Sequence, residues 1–391
     1  MEAPRSLFNF GFVTLNILVL FAFSNLAVFF SFYDFLNQLP IPPQWHGLLI
    51  GIFSASALVI RPLVSARLAP ANALRAVALG LGLTVVSLLL YDHIESLFPL
   101  LLLRLLHGAA YVTVMSASVT LLMVFMPSDK SGQGFGIITI MTLLPYAVIP
   151  YILENGLAAV PQGIIYSYTA LLMAPPAFLL FPLSKILRSM DAGPSGAATE
   201  AAKGSMWDNL RHPKVLMLLI ANGLVFSVFS SMFFFLKTFT TMYGFGDPGL
   251  FFMAATGVMI ATRLFFGPLF DRFDKGVLAA GSLLLFGLGV FMISIMDSLF
   301  VFYAASVVYG VGVGSATPLM NGLMFSISQP RFRGLNTNLM LEMVDAGFFV
   351  GPALCGLALA GGLGPGPILG VGVAVLIISA TLMGLLKNSN Q

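Results

Sequence analysis

The chain alternates between long apolar runs and short polar breaks. A helix needs about 20 apolar residues to cross the hydrocarbon core of a bilayer. Measured against that length, the sequence yields twelve candidate spans: 11–37, 46–66, 72–91, 97–126, 133–154, 161–188, 214–242, 247–270, 276–296, 299–327, 334–360 and 365–387. These runs lack the polar–apolar alternation of a membrane-barrel strand. Each is therefore expected to be a helix, which satisfies its own backbone polar groups inside lipid. The first run is too long for the apolar core of a cleavable signal, and no small-residue cleavage site precedes the second. The longest polar stretch, from Ser189 to Pro213, is rich in Gly, Ala and Ser and leaves six spans on either side. The expected organisation is a six-helix bundle over 1–188, a linker over 189–213 and a second six-helix bundle over 214–391. Within the linker, Trp207 to Leu210 is read as a short interfacial helix.

Composition agrees with this reading. Only 8% of the 391 residues are charged and 58% are hydrophobic, with a mean hydropathy of +0.98. A soluble domain carries roughly 25% charged residues, so most of this surface faces lipid. Charge placement tests the span count independently. With the N-terminus in the cytoplasm, Arg5, Arg67, Arg75, Lys130, Lys185, Arg188, Lys203, Arg211, Lys214, Arg272, Lys275, Arg331, Arg333 and Lys387 all fall on the cytoplasmic side. Arg61, Arg104, Lys237 and Arg263 fall within spans, and the outer loops carry only acids such as Asp92, Glu95, Glu154, Asp247 and Asp297. This is the positive-inside pattern, which a wrong span count would scramble. It puts both termini in the cytoplasm. It also explains the pI near 9.0 without a nucleic-acid partner. Cys355 stands alone in an apolar run, which excludes a disulfide framework or a multi-Cys metal site. Gly310, Gly312 and Gly314 follow no strand and are read as close helix packing. With no Walker motif, nucleophile–base pair or metal cluster in the sequence, no cofactor or metal is expected, and the chain is not read as an enzyme.

The two halves align at two places. Arg61-Pro62-Leu63-Val64-Ser65-Ala66-Arg67-Leu68-Ala69-Pro70 follows span 2, and Arg263-Leu264-Phe265-Phe266-Gly267-Pro268-Leu269-Phe270-Asp271-Arg272 follows span 8. Gly132 at the start of span 5 and Pro150 within it match Gly334 and Pro352 in span 11, at the same spacing of eighteen. Over nearly its whole length the sequence resembles the major facilitator superfamily. Gly267-x3-Asp271-Arg272 resembles that family's loop signature, Arg104-Leu105-Leu106-His107-Gly108 its helix-4 signature, and Gly351-Pro352-x3-Gly356 its helix-bending Gly-Pro signature. Together with Arg61-Pro62, the combination is most similar to bacterial efflux-type, arabinose-efflux-permease-like members. The resemblance implies an all-α membrane protein of twelve helices in two pseudo-symmetric six-helix bundles, with a site near the midplane. It also implies a cytoplasmic gate latched through Gly267, Asp271 and Arg272. Arg61, Arg263 and Arg333 join that gate as basic residues at inner helix ends. Two departures stand out. Ala69 and Pro70 replace the acid and the base of the first loop signature, and Ile149 stands where the second half has Gly351.

A charge at the membrane centre costs about 2.5–3.5 kcal/mol on insertion scales, so those retained there are candidates for function. Asp34, late in span 1, and Arg104, early in span 4, fall at similar depth. A nearby cation favours the carboxylate and burial favours the acid, so the pair is read as a proton site tuned by Arg104; the alternative puts Asp34 at the outer interface. Asn338, Glu342 and Asp345 share one face of span 11. The two acids form a second candidate proton site, a site for a cationic substrate group, or part of the latch. Lys237 maps where Asp34 would fall in the second half. It either holds a substrate carboxylate, pairs with Asp34, or snorkels to the interface. Arg104, His107, Tyr111 and Ser118 in span 4, with Tyr309, Thr317 and Asn321 in span 10, are candidate substrate contacts.

The function expected is secondary active transport of a small polar or amphipathic organic solute across a bacterial inner membrane. The expected mechanism is proton-coupled efflux by a monomer, with solute, proton and lipid as its only partners. A proton symporter or organic-anion exchanger that imports its substrate is the alternative within that class. A non-transporting sensor or partner-binding subunit is the alternative outside it.

Overall fold

The computed structural model describes residues 6–127, 130–190, 209, 212–270 and 273–386. Among them, twelve helices are long and apolar enough to cross a membrane. They are α1 (Phe10–Asn37), α2 (Pro43–Ser65), α3 (Pro70–His93), α4 (Leu97–Phe125), α5 (Gln133–Asn155), α6 (Gln162–Arg188), α7 (Pro213–Tyr243), α8 (Pro248–Phe265, its helix continuing to Phe270), α9 (Lys275–Ser294), α10 (Leu299–Ile327), α11 (Pro330–Ala360) and α12 (Pro365–Leu385). The chain is a multi-pass, all-helical membrane protein. The helix ends agree with the apolar runs to within about a turn and a half, because in lipid the length of an apolar run and the length of a helix are set by the same thickness.

Local chemistry marks where helices begin and end. Asn9 caps α1 by accepting from the Phe12 backbone N–H. Asp274 caps α9 by accepting from Gly276 and Val277, and Ser298 caps α10 by accepting from Val301. Such side chains satisfy N–H groups that the first turn leaves open. Proline opens α3, α7 and α12, where its missing N–H has no consequence. Gly244 ends α7 at φ 81°, a left-handed conformation that suits glycine. Helix α1 tightens to a 3₁₀ turn over Val28–Ser31. That turn lies in the stretch that supplies the aromatic side chains described below.

The chain folds as two compact units, Met1–Ile41 with Ile52–Ala198, and Pro42–Gly51 with Thr199–Gln391. The first turns of α2 thus belong to the second unit, where a Cβ on Gly356 would meet the Gly47 backbone. In the first unit α1 packs on α5, and α3 packs on α4 and α6. In the second unit α7 packs on α11, and α9 packs on α10 and α12. The pairing is the same, six helices later. The repeat extends to single points of close backbone approach. A Cβ on Gly108 would run into the Phe53 carbonyl oxygen, and one on Gly310 into that of Ala255. Both residues of the second pair lie 202 positions beyond those of the first, the interval that also separates Arg61 from Arg263.

The linker expectations fall mostly outside the described residues, as do Trp207, Asp208 and Leu210 of the interfacial helix. Asn209 is described. Its side chain exchanges hydrogen bonds with Asn336, at 2.6 Å and 3.3 Å, and Asn336 donates to Ser328 at 2.7 Å. The linker end is therefore held by the second unit through three buried polar side chains.

Candidate functional site

The polar centre of the first unit is built around Arg104, which is 1% exposed. Its guanidinium carbon lies 4.9 Å from the Phe29 ring centre, 4.6 Å from Phe32 and 4.8 Å from Phe53. Three helices, α1, α2 and α4, converge to make this box. Aromatic faces attract a cation, by about 2 kcal/mol or more when water is excluded. Nη1 donates to the Tyr91 hydroxyl oxygen at 3.3 Å. That hydroxyl lies 3.2 Å from His107 Nδ1. The Asn25 amide faces His107 Nε2, with Oδ1 at 3.2 Å and Nδ2 at 3.1 Å. Arg104 and His107 sit one turn apart on α4, so both reach Tyr91 at the end of α3. Tyr166 from α6 stacks on Phe29, with ring centres 4.6 Å apart and planes 11° from parallel. Its hydroxyl is buried without a hydrogen-bond partner. Asp34 and Arg104 both lie within electrostatic reach of that hydroxyl. Asp34 itself is half-buried, on the last turns of α1.

Tyr111 lies one turn below His107, at 8% exposure, with its ring edge-on to Phe23. Ser118 is buried and donates to the Val114 carbonyl on its own helix. Arg104, His107 and Tyr111 thus share a face that aromatic rings close.

The second unit has a different centre. Tyr309 on α10 is fully buried among Phe229, Phe251, Phe252 and Phe286, and its hydroxyl makes no hydrogen bond. Thr317 is partly buried and bonded to the Val313 carbonyl, and Asn321 is exposed. On α11 burial deepens along the stripe: Asn338 is exposed, Glu342 half-buried and Asp345 buried. Lys237 is half-buried on α7. Of the gate residues, Arg61 is half-buried and Arg263 donates through Nε to the Gly314 carbonyl at 3.3 Å. Arg333 lays its guanidinium 4.1 Å from the Phe325 ring centre, with Nε buried and without a hydrogen-bond partner. Gly267 lies in the last turn of the α8 helix. Asp271 and Arg272 lie outside the described residues.

Sequence reasoning missed Tyr91, Asn25, Tyr166 and Asn336. Asn25 carried a usable signal, because an asparagine in the middle of an apolar span needs a partner. Tyr91 stands at a span end, where an aromatic residue is ordinary. Only the fold turns it inward.

The arrangement holds a buried cation, an acid and a chain of hydrogen-bonding side chains inside a helical membrane unit, among rings that exclude water. A charge and bonded polar groups retained at such depth are candidates for function. Among the described residues no group of His, Cys, Asp or Glu is arranged to hold a metal ion.

Solved structures share this fold. The chain superposes on a single-residue mutant of the nucleoside transporter NupG, with a TM-score of 0.78 and 12% identity, over 97% of this chain and 100% of that one. It also superposes on an inward-facing, unoccupied bacterial homologue of the human lysosomal transporter Spinster, with a TM-score of 0.72 and 14% identity, over 97% and 98%. The occupied, inward-facing form of the same homologue gives the same values. No curated protein matches the sequence at a significant level. The sequence profile of the Major Facilitator Superfamily matches residues 12–352 and 248–389. With twelve helices, a repeated six-helix unit and these matches, the chain belongs to the major facilitator superfamily and is a secondary transporter rather than an enzyme.

Proposed function

We propose that this transporter couples proton movement to the export of a small polar or amphipathic organic solute across a bacterial inner membrane. Asp34 and Arg104 form the coupling site. The observation that carries this reading is the fully buried Arg104 guanidinium in its aromatic box, with half-buried Asp34 on the same helix that supplies Phe29 and Phe32. A cation retained at that depth favours the ionised acid, while the surrounding rings favour the neutral one. An acid balanced between the two can load and release a proton in each cycle. Positive-inside charge placement supports cytoplasmic termini. In this reading a single chain is the working unit.

The solute class follows from this chain's own side chains. At 12% and 14% identity the structural neighbours carry the fold alone. Arg104, His107, Tyr111 and Lys237, with Asn338, Glu342 and Asp345, suit a polar solute that is anionic or zwitterionic. Tyr309, Thr317 and Asn321 add contacts from α10. The opposite direction, import by symport or anion exchange, is favoured by one feature, Ile149 in place of glycine ahead of Pro150.

The test is an untargeted comparison of cell contents and medium for cells with the native chain, with Asp34→Asn and with neither. Export predicts a solute depleted inside and enriched outside with the native chain only. Accumulation inside would reverse the direction. Equal movement by native and Asp34→Asn would remove Asp34 from coupling.

A further inference from the structure

The hydrogen bonds around His107 have a direction, which follows from what each group can donate. A guanidinium only donates, so the Tyr91 oxygen accepts from Arg104 Nη1. Tyr91 has one hydroxyl proton and is 1% exposed. His107 Nδ1 is the acceptor within reach of it, and the neighbouring Tyr166 hydroxyl makes no hydrogen bond. A proton on Nδ1 would leave the Tyr91 O–H without an acceptor although the ring nitrogen lies only 3.2 Å away, and a buried polar group bonds where a partner is in reach. The imidazole proton therefore sits on Nε2, and Asn25 Oδ1 is the amide atom that can accept it. The chain runs one way, from Arg104 to Tyr91 to His107 to Asn25, through α4, α3, α4 and α1, and all four side chains are buried. The rings of Phe29 and Phe53 close on the imidazole. Among the described residues, the titratable and charged groups that face it are Tyr91 on α3 and Arg104 on its own helix; Tyr166 on α6 packs on Tyr91, and Tyr111 lies one turn along α4.

We propose that Tyr91, His107 and Asn25 are positioning residues of the coupling site. Their one-way chain of hydrogen bonds holds the Arg104 guanidinium, and a proton arriving on His107 breaks the chain at Tyr91. Nδ1 then changes from acceptor to donor, and the Tyr91 hydroxyl loses its acceptor. This deepens the coupling reading of Asp34 and Arg104, and rests on it. Tyr166 supplies an internal control. It is a tyrosine of the same aromatic cluster and as deeply buried, but its hydroxyl has no partner.

The experiment uses the full-length protein, purified in detergent and labelled with ¹⁵N at histidine. The His107 ring signals are assigned by their loss in His107→Gln. The native protein should show a neutral ring protonated at Nε2, with Nδ1 unprotonated and hydrogen-bonded. Tyr91→Phe should abolish the Nδ1 hydrogen bond, and Tyr166→Phe should leave the ring unchanged. Should Tyr91→Phe fail to fold, Asn25→Ser reads the same chain from its other end, through the Nε2–H signal. Proton uptake on a jump from mildly alkaline to mildly acidic pH, read with a pyranine dye, is then measured on the same variants. Tyr91→Phe should displace the midpoint by about half a pH unit or more, and Tyr166→Phe should match the native protein. A native ring protonated at Nδ1, or a Tyr91→Phe variant that matches Tyr166→Phe in both readouts, would overturn the proposal. Asp34→Asn separates the two readings. If it takes up as many protons as the native protein, the coupling reading fails, while the ring signals still judge the hydrogen-bond chain.

Discussion

The two units share a backbone and differ in chemistry at equivalent positions. His107 corresponds to Tyr309, Arg104 to Ser306, Tyr91 to Ile293 and Asn25 to Ser227, all at the interval that separates Arg61 from Arg263. In the first unit these side chains bond to one another across helices. In the second unit Ser306 donates to the Tyr303 carbonyl and Ser227 to the Leu224 carbonyl, each on its own helix, and Tyr309 is left without a partner. The close approach of Gly108 to Phe53 and of Gly310 to Ala255 is kept in both. Packing is kept between the repeats, whereas the charged and polar groups stand at different positions in each. The acids of the second unit stand elsewhere, on α11, where Glu342 and Asp345 correspond to Ile140 and Leu143.

The most direct way to break this contrast is to give the first unit the second unit's residue. Arg104→Ser removes a cation held by three rings and the donor to Tyr91. Transport should fall at least about a hundredfold, and stability should fall by about 2 kcal/mol or more, read as export of the solute and as thermal unfolding in detergent. An Arg104→Ser protein that transports normally would mean the two units are interchangeable in chemistry as well as in packing. The shared feature is tested by Gly108→Ala and Gly310→Ala. Each Cβ meets a carbonyl oxygen, so both should lower stability by about 1–3 kcal/mol. Gly136→Ala and Gly257→Ala, where nothing lies within 4 Å, should lower it little. Unequal effects at Gly108 and Gly310 would show that the repeat is looser than its backbone geometry suggests.

Asn336→Ala leaves the buried amide of Asn209 unpaired and should destabilise the second unit by about 1–3 kcal/mol, read as earlier unfolding and faster proteolysis of the linker. Tyr309→Phe removes a buried hydroxyl that has no partner. Stability should stay level or rise by up to about 1 kcal/mol. A drop in solute affinity in that variant would instead identify the hydroxyl as a substrate contact.

Much of the fold was legible in the sequence because lipid imposes one rule. Each crossing must be a helix of fixed length, so apolar runs map onto helices nearly one for one. The repeat was legible from Arg61 and Arg263, and from Pro150 and Pro352, since proline and intramembrane charge are too costly to recur by accident. Arg104, His107 and Tyr111 were legible as a face of one helix. Their partners were not. Tyr91 lies 16 positions from His107, and Asn25 lies 82. Spans that are apolar all round give no stripe to say which face turns inward. A hydropathy profile therefore separates protein from water, but it does not distinguish a neighbouring helix from lipid. The contrast between Asn338 and Asn336 has the same origin. The sequence pattern favoured Asn338 on the stripe of acids, and the buried, bonded asparagine is Asn336.

Proton coupling in the first unit has a direct test. The chain is reconstituted in liposomes that contain pyranine, and the pH change that accompanies movement of the solute found by the cell comparison is followed. The native chain should move protons opposite to the solute. Asp34→Asn should lose that proton flow, whereas Glu342→Gln and Asp345→Asn should keep it. Proton flow retained in Asp34→Asn and lost in Glu342→Gln or Asp345→Asn would move the coupling site to α11.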